Sequence, residues 1–239
     1  MRYAELPLPP ALDGLVAAVW TAEVPADAGE WVGQEAVPDG CIELIRRHSG
    51  RSIWRREQPA LFATGLATVP AQLRLGAGAR FTGVKLWPWA WHALGGAPCP
   101  AFADDWIAID DAGLAALTGD DPAAVPDALV RAFAGIARPP LGSAVLAATT
   151  VAGIARASGL PHRTLQRRFA AEFGMPPRSY LRLLRFRDAL AHVQASGESL
   201  ADTAAAQGYA DQAHMAREFK SLAGLAPSAA RIRAKGPFV

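Results

Sequence analysis

The sequence predicts an α+β chain: an N-terminal β-barrel or sandwich with trailing helices, then an all-α region of two helix pairs joined by a long helix. Three observations carry this. Short apolar runs bounded by turn residues fill the first 90 positions. Helical periodicity takes over from about Trp89, and after Gly142 the chain is Ala-rich, helical and repetitive. A length of 239 residues suits two domains. They are placed at 1–138 and 144–239, with a linker at 139–143, because Arg138-Pro139-Pro140 ends a helix and Gly142 loosens the chain.

In chain order, the apolar runs are Leu15–Trp20, Cys41–Ile45, Leu61–Thr64, Ala71–Leu75 and Phe81–Leu86. Turn residues separate them: Pro25 to Gly29, Pro38-Asp39-Gly40, Ser49-Gly50 and Gly76 to Gly78. Several short strands at this spacing suit a small barrel or sandwich. Segments Asp110–Leu117 and Ala123–Ile136 are expected to be helical, the second with Val125, Leu129, Phe133 and Ile136 on one side.

Composition excludes several classes. Apolar residues make up 51% and charged residues 19%, too apolar for a disordered chain. Two cysteines, Cys41 and Cys99, exclude a disulfide framework and a four-cysteine zinc site. The uncharged stretch Pro139 to Ala155 is short for a membrane span and holds two prolines. Glu5, Pro7, Pro9 and Pro10 stand where a signal peptide would need an apolar run. The expectation is a soluble, cytoplasmic protein with no membrane partner.

Charge divides the chain. Residues 1–142 hold 11 basic and 16 acidic side chains, a balance of −5. Residues 143–239 hold 13 and 6, a balance of +7. On charge alone the basic part suits either an anionic partner, of which nucleic acid is the commonest, or no more than a solvated basic surface. All seven tryptophans lie in the first 106 residues.

The basic part matches itself at an offset of 50 residues: Ala155 with Ala205, Arg167 with Arg217, Phe169 with Phe219, Gly174 with Gly224, Pro177 with Pro227. In each copy a small-residue helix ends at a glycine, Gly159 or Gly208. A second helix follows, then a glycine and, three residues on, a proline. The second helix carries an apolar stripe, Leu165/Phe169/Phe173 or Met215/Phe219/Leu222. Two short helices joined by a tight turn form a helix-turn-helix, whose second helix fits the major groove of double-stranded DNA. The outward residues would be Arg163, Gln166 and Arg167 in the first copy, and Gln212, His214 and Arg217 in the second. Arg suits guanine O6/N7, and Gln suits adenine N6/N7. From Pro177 to about Gln194 a single helix joins the copies, with Tyr180, Leu183, Phe186, Leu190 and Val193 on its apolar side. It would hold the two recognition helices on successive major grooves, about 34 Å apart.

These residues strongly resemble the AraC/XylS family of transcription regulators, over about Val151 to Arg233. The resemblance rests on Ile154-Ala155, Gly159 to Phe169, Gly174, Pro177, Tyr180, Leu181 and Arg185. It continues with Ala201 to Ala205, Gly208 to Phe219, Lys220, Gly224 and Pro227. It implies two helix-turn-helix units in one monomer. Carried over by position, Arg163, Gln166 and Arg167, with Gln212, Ala213, His214 and Arg217, would contact bases or phosphates, and Arg168 would turn inward to brace the fold. The chain departs from the pattern at Pro161, where the family usually has a Ser cap, and at Ala229-Ala230, where it usually has an aromatic. The acidic part more loosely resembles the β-barrel sensing domains that precede such units, through Pro38 to Ile45 and Phe81 to Leu86. That implies effector binding or dimerisation, with a homodimer as one outcome.

No catalytic residue, cofactor or metal site is expected. A cupin-like metal centre would need clustered histidines, and the first part has only His48 and His92, with no HxH pair. Cys41, between Gly40 and Ile42, reads as a small buried hydrophobe rather than a reactive thiol. For an effector, Trp87, Trp89 and Trp91 offer stacking at the barrel mouth, with Asp39 and Glu43 as counter-charges. The alternative is that the same rings fill the domain core or the inter-domain seam. Three readings follow: a DNA-binding regulator with an effector in its barrel, a DNA-binding protein whose barrel only dimerises, and a DNA-delivered enzyme, which the absence of a His/Cys/carboxylate cluster disfavours.

Overall fold

The computed structural model describes residues 1–232. The expected end of the second domain, residues 233–239, lies outside them. The described strands are β1 (Arg2–Leu6), β2 (Val16–Glu23), β3 (Trp31–Ala36), β4 (Ile42–Ser49), β5 (Ser52–Trp54), β6 (Arg56–Glu57), β7 (Leu61–Thr64), β8 (Ala71–Gly76), β9 (Arg80–Leu86) and β10 (Trp106–Ala108). They form two antiparallel sheets, one ordered β1-β2-β9-β4-β7-β10, the other β3-β8-β5-β6. The fold is α+β, with helices following the sheets.

The five apolar runs of the sequence all fall on strands, with Leu15 and Cys41 one residue ahead of β2 and β4. β1, β3, β5, β6 and β10 were not expected. They are short or carry charged and half-buried residues, so no apolar alternation marks them.

The larger sheet buries both faces, which is why β2 reads as a nearly continuous apolar run. Trp20, Ile45, Phe62 and Phe81 point inward and meet Leu75 and Trp54 of the smaller sheet. Val19, Leu44, Val84 and Leu86 point outward into a second core shared with the helices. Gly83 is a close-approach site. A Cβ there would stand 2.1 Å from the Trp20 indole, its cross-strand partner.

Among the described residues there are ten α-helices, the first of them between β9 and β10: α1 (Pro88–Ala93), α2 (Ala112–Ala116), α3 (Val125–Ala132), α4 (Pro140–Leu146), α5 (Val151–Ser158), α6 (His162–Phe173), α7 (Pro177–Ala195), α8 (Leu200–Ala206), α9 (Gln212–Ala223) and α10 (Pro227–Ala230). The proposed linker residues lie in and beside the first turn of α4, where Leu141, Gly142, Ala144 and Val145 are buried. Pro140 at the helix start explains this: a proline that ends one helix also suits the first turn of the next.

The outer core of the sheet runs without a break into the helical region. Trp89 packs on Phe173 with ring centroids 6.2 Å apart, and its Nε1–H donates to Gly14 O at 2.7 Å. Tyr180 of α7 donates its hydroxyl to Gly40 O at 2.7 Å. Among the described residues no helix is long and apolar enough to cross a membrane.

Candidate nucleic-acid interface and barrel cavity

The internal repeat is also a structural one. α6 and α9 each have 12 residues and start 50 positions apart. Their buried residues fall at matching positions: Leu165 with Met215, Phe169 with Phe219, Phe173 with Ala223. Each helix stops at a left-handed glycine, Gly174 at φ 71° and Gly224 at φ 68°, and each is followed by a helix beginning at Pro177 or Pro227. The N-termini differ. Pro161 caps α6 with no side-chain hydrogen bond, whereas Asp211 accepts the His214 N–H at 2.6 Å.

On the outer sides of these helices, Arg163, Arg167, Gln212, Ala213 and Arg217 are exposed, and Gln166 and His214 are half-buried. Arg163, Arg167 and Arg217 form no ion pair among the described residues. Their guanidinium groups keep all five donors for an anionic or base-edge partner. His214 is already engaged. Its Nδ1 accepts the Ala210 N–H at 3.3 Å, and its ring stands edge-on to Tyr209.

Arg168 does not turn inward. It is exposed and pairs with Glu172, one helical turn on, at 2.8 Å. The equivalent position of the second unit is Glu218, and that side chain is the buried brace. It is 8% exposed, receives Arg182 Nε at 2.8 Å, and has Arg185 and His214 within 4 Å. Sequence reasoning missed it. The available signal was an acidic residue beside Phe219, on the buried side of an otherwise basic helix.

The three clustered tryptophans lie in the seam rather than at a barrel mouth. Trp87 stacks on Trp89 at 5.3 Å, Arg187 covers the outer face of Trp87, and Trp91 meets Phe102. All three are buried in the core shared with the helices. Pro88 starts a helix at once after β9, which turns the rings away from the sheet interior.

A separate cavity lies between the two sheets. Trp20, Trp54, Phe62 and Phe81 line it, together with Asp39, Glu43 and Gln58. It leaves about 70 Å³ for the centres of water molecules, room for several at about 10–15 Å³ each. Asp39 and Glu43 are thus on its wall, while Trp87, Trp89 and Trp91 are not. Glu43 Oε2 accepts the Trp20 Nε1–H at 3.1 Å, and Lys85 pairs with Asp39 and stands 3.4 Å from Glu43 Oε1. Burial raises the Glu43 carboxyl above its ordinary range, against the pull of Lys85. The two carboxylates outweigh the burial of Lys85 and raise its ammonium, which stays charged. Burial also raises the Cys41 thiol well above its usual range, and Cys99 is pushed up to about 12. Neither thiol is activated. No group of three or more His, Cys, Asp or Glu among the described residues is placed to hold a metal ion.

Comparison with known proteins follows the same division. Residues 154–233 match a helix-turn-helix domain family, and residues 4–108 match a domain family of unknown function. The helix-turn-helix part is 35% identical over 82 residues to the HTH-type transcriptional activator RhaS of Pectobacterium atrosepticum. A second RhaS, from Pectobacterium carotovorum, is 36% identical over 75 residues. These matches cover 34% and 31% of this chain and 29% and 27% of the relatives, so the chain spans less than a third of their length. In fold, the chain is similar to ToxT from Vibrio cholerae over 91% of its own length and 98% of that chain, with a TM-score of 0.52 at 10% identity. A ToxT structure with bound unsaturated fatty acid matches 87% of this chain and 92% of that one, with a TM-score of 0.50 at 11% identity. The paired helix units are thus similar to those of HTH-type transcriptional activators, and the sheet domain before them matches a domain family of unknown function.

Proposed function

We propose that the chain is a sequence-specific DNA-binding transcription regulator, modulated by a small molecule held in the N-terminal barrel. The two helix-turn-helix units read successive major grooves of one duplex through α6 and α9. The observation that carries this is the pair Arg167 and Arg217. They occupy equivalent positions of the repeat, both exposed and both without an ion pair among the described residues. α7, with 19 residues and a length of about 28 Å, sets a fixed separation between the units. That length is comparable with the roughly 34 Å from one groove to the next. The relatives named as transcriptional activators support the regulatory role.

The cavity between the sheets favours the effector role over dimerisation alone. An effector acts by binding one domain arrangement better than another. Solvent-excluded packing across the seam gives the barrel a physical route to the DNA-binding helices.

The test begins with duplexes selected by the full chain from a randomised pool. Arg167→Ala and Arg217→Ala should each weaken binding to the selected duplex by about 1–3 kcal/mol, roughly 5- to 150-fold. Each should relax base preference in a different half of the site. Retention of full affinity by both variants, or loss of the same half-site in both, would overturn the two-groove reading.

A further inference from the structure

Resting on the effector reading above, we propose that the barrel cavity takes a small organic ammonium ion, an amine on a short apolar body. Its presence is reported to the helical region through the hydrogen bond between Gly40 and Tyr180.

The lining sets the chemistry. Trp20, Trp54, Phe62 and Phe81 supply aromatic surface, and the charged groups on the wall are two carboxylates, Asp39 and Glu43, with no cation. The wall therefore favours a positive charge, which aromatic faces also attract. An anionic headgroup would meet both carboxylates.

The charge balance points the same way. Asp39, Glu43 and Lys85 have side chains no more than 15% exposed, and together they hold two acids to one base. Arg187, which covers Trp87 on the seam side, also feels Asp39, but it is paired with Asp188 at 2.7 Å, so counting both leaves the balance unchanged. The cluster is one positive charge short when both acids ionise. An unpaired buried charge is costly, and a ligand cation removes that cost. Gln58 is an independent sign of a ligand. It lines the same cavity at 4% exposure, and its side-chain amide has no hydrogen-bond partner among the described residues. It can accept from an ammonium N–H.

The route out of the cavity is short. Asp39 opens a tight turn: its Oδ1 accepts the Cys41 N–H at 2.9 Å, and its Oδ2 is paired with Lys85. The residue between, Gly40, has φ 79°, and its carbonyl accepts the Tyr180 hydroxyl at 2.7 Å. Leu184, one turn on from Tyr180, lies against the same glycine. Tyr180 is fully buried on α7, the helix that joins the two DNA-reading units. A cation that draws the Asp39 carboxylate away from Lys85 therefore shifts the carbonyl that anchors α7.

The test uses the full chain and three isosteric probes: butylammonium, butan-1-ol and butyrate. Calorimetry should show saturable butylammonium binding at least tenfold tighter than that of the alcohol or the carboxylate. Glu43→Gln and, separately, Gln58→Leu should each weaken butylammonium at least fivefold. Preference for butyrate, no binding of any probe, or indifference of both variants would overturn the proposed ligand class. Butylammonium should also change affinity for the selected duplex, and Tyr180→Phe should keep the binding heat while abolishing that change. A wild-type duplex affinity that ignores bound butylammonium, or a Tyr180→Phe protein that still responds, would overturn the route. Failure of the ligand-free protein to select any duplex is a different result. It would overturn the regulator reading and leave the calorimetric answer intact.

Discussion

Glu43 is a carboxylate in a place that resists its charge. It lies between two sheets, held by the Trp20 indole N–H and near Lys85, and burial raises its pKa. The folded protein therefore binds this proton more readily than the unfolded chain. The sign follows: the contribution of Glu43 is least unfavourable at low pH and worsens as pH rises above the ordinary carboxylate range. Glu43→Gln removes that term while keeping the shape. Melting temperatures measured from pH 4 to 7 should shift in favour of the variant as pH rises, with Asp39 and Lys85 retained in both proteins. A constant difference across that range would mean that Glu43 titrates as it does when unfolded. At the equivalent repeat positions 168 and 218, the two units place opposite charges in opposite environments. Arg168→Ala should cost less than about 0.5 kcal/mol, as expected for an exposed pair. Glu218→Ala should cost more, about 1–3 kcal/mol, because it leaves Arg182 and Arg185 unpaired against a buried helix face. Urea denaturation of both variants checks the ordering.

At the scale of the element, the repeated helix ends make a matched experiment. Gly174 and Gly224 both hold left-handed backbone, in which an L-residue costs about 1–2 kcal/mol. Their surroundings differ. A Cβ on Gly174 would stand 3.2 Å from Pro100 Cα, whereas the nearest atom to one on Gly224 is Glu35 Oε1 at 3.5 Å. Gly174→Ala should therefore destabilise the protein more than Gly224→Ala, by denaturant midpoint. Equal losses would show that the contact with Pro100 yields freely. The comparison also reports on the seam, since Pro100 belongs to the N-terminal part and Gly174 ends α6.

Across the whole molecule, the first helix unit and the outer face of the larger sheet share one apolar core. Trp89, Gly142 and Phe173 meet there: a Cβ on Gly142 would stand 2.7 Å from the indole of Trp89, and that indole packs on Phe173. Trp89→Ala should cost about 3–5 kcal/mol, as large-to-small changes in such cores do. Its reach is the sharper prediction. Hydrogen exchange should speed up together in β9 and α6, which lie in different sequence domains, and the two should lose protection in one step. Exchange that rises in β9 alone would show that the two parts unfold independently.

Local periodicity was sufficient for much of this protein. The spacing of Leu165, Phe169 and Phe173, repeated 50 residues on, determined two helices, their buried sides and hence the outward position of Arg163, Arg167 and Arg217. The Gly-x-x-Pro ends marked their boundaries, because backbone conformation at glycine and proline is a property of the residue itself. The apolar runs of β2, β4, β7, β8 and β9 were legible in the same way, and the less apolar strands were not, since their pairing depends on distant partners. Only the tertiary structure decided what each buried face meets. Trp87, Trp89 and Trp91 look alike as cavity lining or as seam, and the helix begun by Pro88 sends them to the seam. Asp39 and Glu43 stand four residues apart, yet Lys85 and Gln58 join them only because β9 and the end of β6 fold over the same cavity. Positions 168 and 218 carry the same place in the repeat and opposite roles, one in solvent and one against α7. A sequence pattern states that a side chain is buried, whereas its partner, and so its charge state and its function, is set by contacts between residues far apart in the chain.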